Sequence, residues 1–216
     1  GVAILIIVLA IMNGSITTLR SEALKSVPHL TISSNIRMVC SEQLIQKLLD
    51  LDNVDAVAPF VQGEASISKN GVTEFIRVRG VDPTREGSVA TNVNQTYADL
   101  LADLALRDSG LILGYRLLGI LRQSSSDEVM LNSLKKLVQR DFKTAKAFSV
   151  LGGVDLGIYG SEDLALISLS SAEKLFGDTD QNEFHLRLKL KDLDATTATK
   201  LEVIKIIRTF FSKLSD

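Results

Sequence analysis

Side chains able to do acid–base, nucleophilic or metal chemistry are few in this sequence. Its 216 residues hold two histidines, His29 and His185, and one cysteine, Cys40. His29 follows Pro28 at the entrance of a predicted strand, and His185 falls on the polar side of an alternating one, so both read as structural residues. A lone cysteine excludes an internal disulfide, a cysteine-based zinc cluster and a CxxC redox pair. No GxxxxGK[ST] loop, GxGxxG after a strand, HExxH or GxSxG occurs. The glycines of GGVDLGIYG (152–160) lie between two predicted strands rather than before a helix and read as turn residues. Glu162 and Asp163 read as solvated loop charges, because nothing near them would push their pKa values apart. The expectation is a chain with no enzyme activity and no metal or cofactor of its own.

One segment concentrates charge. In LKKLVQRDFKTAK, Leu134 to Lys146, the cations Lys135, Lys136, Arg140, Lys143 and Lys146 stand against Asp141 alone, with Leu137, Val138, Gln139 and Phe142 among them. Leu131, Leu134, Val138 and Phe142 are near helical spacing, which suits a solvated helix; the competing reading is a protruding cationic surface for an acidic partner. The formal net charge of -2 gives no overall basic field for nucleic acid, so electrostatic recognition must be local.

The elements that would position this segment form a mixed pattern. With 45% hydrophobic and 23% charged residues the chain can bury a proper core. HLTISS and VDAVAPFV read as strands flanking a helix with Ser41 at its N-cap and Leu44, Ile45, Leu48 and Leu49 on one face. Asn70-Gly71 predicts a type I′ hairpin turn, with Ile76 and Val78 facing a core and Arg77 and Arg79 facing out. TYADLLADLAL is helical; LILG, KAFSVLGGV and EDLALISLS are strands; Ser170 and Glu173 form a capping box for SAEKLFG. EFHLRLKLKD alternates, with Phe184, Leu186, Leu188 and Leu190 on one side and His185, Arg187, Lys189 and Lys191 on the other, a one-sided strand. The tail predicts a helix with Leu201, Ile204, Ile207, Phe211 and Leu214 on its buried stripe. The class is α+β with mainly antiparallel pairing.

The N-terminus is different in kind. From Gly1 to Met12 no residue is charged, and Val2, Ile4, Leu5, Ile6, Ile7, Val8, Leu9 and Ile11 form an oily run. Twelve helical residues reach about 18 Å, short of a hydrocarbon core of about 30 Å. The expectation is the outward end of a transmembrane helix that leaves the bilayer near Asn13-Gly14 and continues as a polar helix toward Pro28. The competing reading is a buried core helix.

In order along the chain, VLAIMNG, VPHLTI, NVDAVAPFV, IRVRGVDP, GLILGYRLLGIL, AFSVLGGVDLGIYGSEDLALISLSSAEKLF and HLRLKLKD resemble lipoprotein-releasing ABC transporter permeases of the LolC/LolE type. These lie within the MacB/FtsX-like permease group. VPHLTI and RGVDP lean toward LolE-like or undivided members, whereas RQSSSDEVML stands where the family usually has a Gly-Asp turn.

The resemblance implies a two-lobed MacB-like periplasmic domain. Its expected parts are the end of transmembrane helix one (1–26), a discontinuous α/β lobe (27–70 and 181–216) and a β-rich lobe (71–180). It further implies a bacterial inner-membrane permease subunit with most of this chain in the periplasm. Expected partners are an ATP-binding subunit that holds the ATP, a second permease copy or paralogue, acylated lipoprotein, membrane lipid and a LolA-like periplasmic carrier. In LolC-type permeases a β-hairpin hooks that carrier, and the corresponding stretch is Leu134 to Thr144, with Lys146 at an assisting basic position. The alternatives are another MacB/FtsX-like permease, for efflux or cell-wall signalling, or a soluble α+β interaction module.

Overall fold

The computed structural model describes residues 2–25, 30–34, 42–90, 94–121, 128–139, 145–155, 163–177 and 184–212. Helix α1 (Val2–Lys25) runs through the oily stretch into the polar one and is followed by strand β1 (Leu30–Ser34). In α2 (Glu42–Leu49) the residues Leu44, Ile45 and Leu48 are buried, as their spacing requires. Strands β2 (Val54–Lys69) and β3 (Val72–Val81) form the expected hairpin, with φ of 50° at Asn70 and 82° at Gly71. Two positive φ values in sequence are what a type I′ turn needs.

Helix α3 (Pro83–Val89) was hidden in the sequence behind GVDP. Asp82 caps it, with Oδ1 accepting from Thr84 N at 3.0 Å, and Pro83 supplies the first turn. The chain continues as α4 (Gln95–Leu106), β4 (Gly110–Gly114), α5 (Tyr115–Ile120), β5 (Glu128–Ser133) and α6 (Leu134–Val138). It ends with β6 (Lys146–Val154), β7 (Leu164–Ser168), α7 (Leu169–Phe176), β8 (Phe184–Leu190) and α8 (Thr196–Ser212). The class is mixed α+β. Only β3–β7 and β4–β6 pair in parallel among the described strands.

The strand order is β1-β8-β2-β3-β7-β4-β6-β5, and the far end of β2 also pairs with β5, Ala65 opposite Ser133. Six strands therefore close into a ring, while β1 and β8 extend from the near end of β2. Alternate residues fill the ring: Ala65 and Ile67, Ile76 and Val78, Val129 and Leu131, Phe148 and Val150, Ala165 and Ile167. Because β4 and β7 are antiparallel, the helices that follow them leave at opposite ends. Leu117 and Leu121 of the α5 segment join the ring core, and Ala172, Leu175 and Phe176 of α7 join it too. A second core lies where α2 and α8 cover β8 and the near half of β2, around Leu48, Val57, Leu188 and Val203. A third forms where α4 lies on the outside of β4, β6 and β7.

Four expectations are corrected. Strand β8 is not one-sided: His185 and Arg187 are 9% and 5% exposed, because α3 covers the face that alternation assigned to water. Arg77 faces out, but Arg79 folds onto the Phe60 ring with its guanidinium carbon 5.0 Å from the centroid. Gly152 and Gly153 lie within β6 rather than in a turn; a Cβ there would come within 2.9 Å of Leu100 and 2.7 Å of Leu118, side chains of α4 and α5. The cap of α7 is Ser168, whose Oγ accepts from Ser171 N at 3.2 Å, two residues before the predicted one.

The stripe of α8 is also rotated. Val203 and Phe210 are buried while Leu201 is 58% exposed, because buried Thr199 accepts from Asn53 Nδ2 at 2.8 Å and sets the helix's azimuth. Ile204 and Ile207 are half-buried, the Phe211 side chain and Leu214 lie outside the described set, and so do His29, Cys40, Ser41 and Glu162. Asp163 is exposed and pairs with Arg116.

Candidate functional site

The cationic segment begins as one turn of helix. Leu134, Lys136 and Leu137 are half-buried, Lys135, Val138 and Gln139 are exposed, and Val138 shows 76% of its surface. Arg140, Phe142 and Lys143 lie outside the described residues. The chain re-enters the sheet at half-buried Lys146, which pairs with Leu131, so β5 and β6 are the antiparallel arms that carry the segment.

Tertiary structure adds a cation that sequence proximity could not supply. Lys174 on α7 stands close enough to Lys146 to act on it, as does Lys136; burial and these two like charges hold Lys146 below the ordinary lysine range. Lys136 lies over the C-terminal end of α7, where a Cβ on Gly177 would be 3.2 Å from its Cε and Nζ. The partial negative charge of a helix C-terminus favours an ammonium there. Lys174 pairs with Asp108 at 3.5 Å across an exposed gap. Lysines of α6, β6 and α7 thus meet at the end of the ring that α7 closes, beside exposed Val138. Such a surface suits an acidic partner with an apolar contact.

A second concentration of charge is buried. Arg187 of β8 pairs with Glu86 of α3, the two side chains 6% and 2% exposed, and the Tyr97 hydroxyl donates to Glu86 Oε1 at 3.3 Å. Phe60 is the platform: His185 stacks on it with centroids 4.7 Å apart, and Arg187 and Arg79 lie 5.3 and 5.0 Å from its centroid. His185 Nδ1 shares a 2.9 Å hydrogen bond with Ser33 Oγ of β1. Arg79 donates from Nη2 to Gln62 Oε1 at 3.0 Å; burial and the neighbouring Arg187 push it down to about 10. Among the described residues no three His, Cys, Asp or Glu side chains gather into a metal site.

Burial, and then the Glu86 charge, hold the Tyr97 hydroxyl protonated well above the usual tyrosine range. The sign follows from linkage: Tyr97's contribution is complete below about pH 10, and is lost above it as the unfolded chain ionises first. Urea midpoints at about pH 8 and about pH 11 should therefore fall further apart for the wild type than for Tyr97→Phe. Equal separations would show that Tyr97 titrates normally.

Helix α1 presents Val2, Ile4, Leu5, Ile6, Ile7, Val8, Leu9 and Ile11 to the outside, from 49% exposed at Val8 to 73% at Val2. These consecutive positions surround the helix, so no single packed face could bury them. Among the described residues no helix is long and apolar enough to cross a membrane.

No family model matches the chain. It is 28% identical over 206 residues, 92% of its length, to the lipoprotein-releasing system transmembrane protein LolC of Neisseria meningitidis serogroup B. It is 25% identical over 162 residues, 71% of its length, to the protein of the same name in Buchnera aphidicola subsp. Acyrthosiphon pisum. The chain spans 49% and 40% of those proteins, half their length or less. The resemblance to LolC-type permeases thus extends along nearly the whole chain. Among solved structures, the periplasmic region of MacB from Actinobacillus actinomycetemcomitans aligns with a TM-score of 0.47 at 11% identity, over 78% of this chain and 72% of that one. The extracellular domain of the ABC-type transporter YknZ from Gram-positive bacteria aligns with a TM-score of 0.46 at 13% identity, over 82% of each.

Proposed function

We propose that this chain is the extracytoplasmic part of a lipoprotein-releasing ABC permease of the LolC type, which docks a soluble carrier and couples that docking to the membrane. The observation that carries the reading is the similarity to LolC over 92% of the chain. The exposed oily helix α1 fits a segment seated in the inner membrane, with the sheet beyond it on the periplasmic side. The absence of a phosphate loop in the sequence fits ATP hydrolysis on a separate subunit.

Physics sets the task. Each buried methylene contributes about 0.8 kcal/mol, so an anchor of some forty methylenes is held by about 30 kcal/mol. Spontaneous release is negligible, and the acyl chains must pass from one apolar environment directly into another. A docking surface that brings the carrier's cavity to the permease is the part this chain would supply. The lysines at 136, 146 and 174, with Val138 beside them, are its best-formed candidate; Lys136 belongs to the proposed hook stretch from Leu134 to Thr144, and Lys146 follows it in sequence.

The test is to place photocrosslinkers at Gln139 and Phe142 of the full-length permease and search for a carrier adduct. A clean absence with a normally folded protein would sink the hook assignment. Lys136→Glu with Lys174→Glu should weaken carrier binding by about tenfold at low salt and by much less at high salt, because exposed charges are screened beyond about 10 Å at 0.1 M. Unchanged affinity at both salts would remove the lysines from the interface.

A further inference from the structure

We infer that the docking surface runs on across α7 to the C-terminal end of α4, where Leu106 is a second apolar contact and Asp108 holds a place that the partner's own carboxylates take. This footprint rests on the docking role proposed above and names the rest of its extent. A stable protein–protein contact covers about 800 Å² on each side, roughly 20–30 residues. Three lysines and Val138 fall well short of that, so the contact must continue in some direction. Outside α1, exposed large apolar side chains among the described residues point to one. Val72 and Tyr115 lie at the end of the ring away from α7, and Phe75 and Met130 on its wall toward the Asn70-Gly71 turn. Leu106 is the most exposed of all, at 83%, and lies at the α7 end. Helix α4 buries Tyr97, Leu100, Leu101 and Leu104; Leu106, two residues on, is turned about 200° from Leu104 and away from the core.

Asp108 ties this leucine to the lysines. Two residues after Leu106, it pairs with Lys174 at 3.5 Å and accepts from Ser170 Oγ at 3.3 Å. The ion pair is loose: its side chains are 59% and 75% exposed, and such a pair contributes little in water. Neither Lys136 nor Lys146 has an anionic partner among the described residues. The three lysines thus share one exposed carboxylate, and carboxylates on a partner would balance the rest. Lys174 can pass from Asp108 to such a group without being desolvated alone. The partner that fits is an acidic protein surface with an apolar contact on either side of its charge, one for Val138 and one for Leu106.

Binding of purified LolA-like carrier to the full-length permease in detergent micelles tests it, at low and at high salt. Leu106→Ser should weaken binding by about fivefold or more at both salts, since apolar burial is not screened. Asp108→Asn should tighten binding by about threefold at low salt and by much less at high salt, because the resident competitor is gone. Both side chains are exposed, so neither change touches the core. A photocrosslinker in place of Leu106 should give a carrier adduct, and one in place of exposed Tyr115, past the other end of β4, should not. No carrier binding by the wild type would overturn the docking role and this footprint with it. Where the wild type binds and Lys136→Glu with Lys174→Glu weakens it, any of three results overturns the footprint alone. These are affinity unchanged by Leu106→Ser, affinity unchanged or lowered by Asp108→Asn at low salt, and an adduct at 106 no stronger than at 115.

Discussion

Replacing Glu86 by alanine should destabilise the protein by about 3–5 kcal/mol, the cost of breaking a buried ion pair from one side. The carboxylate is 2% exposed and its partner Arg187 is 5% exposed, so the abandoned guanidinium has no water to turn to. Its Nε already lacks a partner, and Tyr97 would lose its acceptor as well. Replacing both charges, Glu86→Met with Arg187→Met, should recover most of the loss, because an apolar pair of similar volume avoids desolvation altogether. Urea unfolding monitored by circular dichroism measures both. An alanine variant within about 1 kcal/mol of wild type would mean that Arg187 reaches solvent and that α3 does not seal it. The pair also fixes alignment: a one-residue slip of β8 would carry Arg187 into the face occupied by Leu186 and Leu188.

Gly80→Ala should cost about 2–3 kcal/mol, toward the upper end for overpacking. An ideal Cβ at Gly80 falls 2.2 Å from the Cβ of Ala172, with Leu169 Cα and Ser168 O at 3.4 Å. None of these is the free end of a flexible side chain, so α7 as a whole must retreat from the ring it closes. At Gly63 the obstacle is the Phe176 ring at 2.5 Å, a side chain that can rotate, so Gly63→Ala should cost less. Adding Ala172→Gly to Gly80→Ala should restore part of the stability, less about 1 kcal/mol for glycine in a helix. The effect reaches the cationic surface because α7 carries Lys174 and ends where Lys136 rests. On the proposed docking role, carrier binding should therefore fall with the single substitution and return with the double one; binding indifferent to both would separate the surface from α7.

Much of the local structure was legible in the sequence. Asn70-Gly71 called for positive φ values and has them; Leu44, Ile45 and Leu48 declared a helical face and are buried on it. The oily run of α1 was readable because a dozen uncharged residues need no partner to identify them. The alternation of β8 was also correct as a period. What failed was the inference that polar means solvated, since a one-dimensional pattern separates two faces without naming what covers either.

The sequence by itself thus determined the β2–β3 turn, the buried face of α2, the period of β8 and the cationic stretch from Leu134 to Lys146, because turn chemistry, helical spacing and local charge act over a few residues. Tertiary structure alone decided that six strands close into a ring, that α3 seals Arg187 against Glu86, and that Lys174 joins Lys136 and Lys146. Those outcomes depend on contacts between residues distant in the chain, Glu86 and Arg187 being 101 residues apart. Burial and mutual charge, which settle what such groups can do, have no value until those contacts exist.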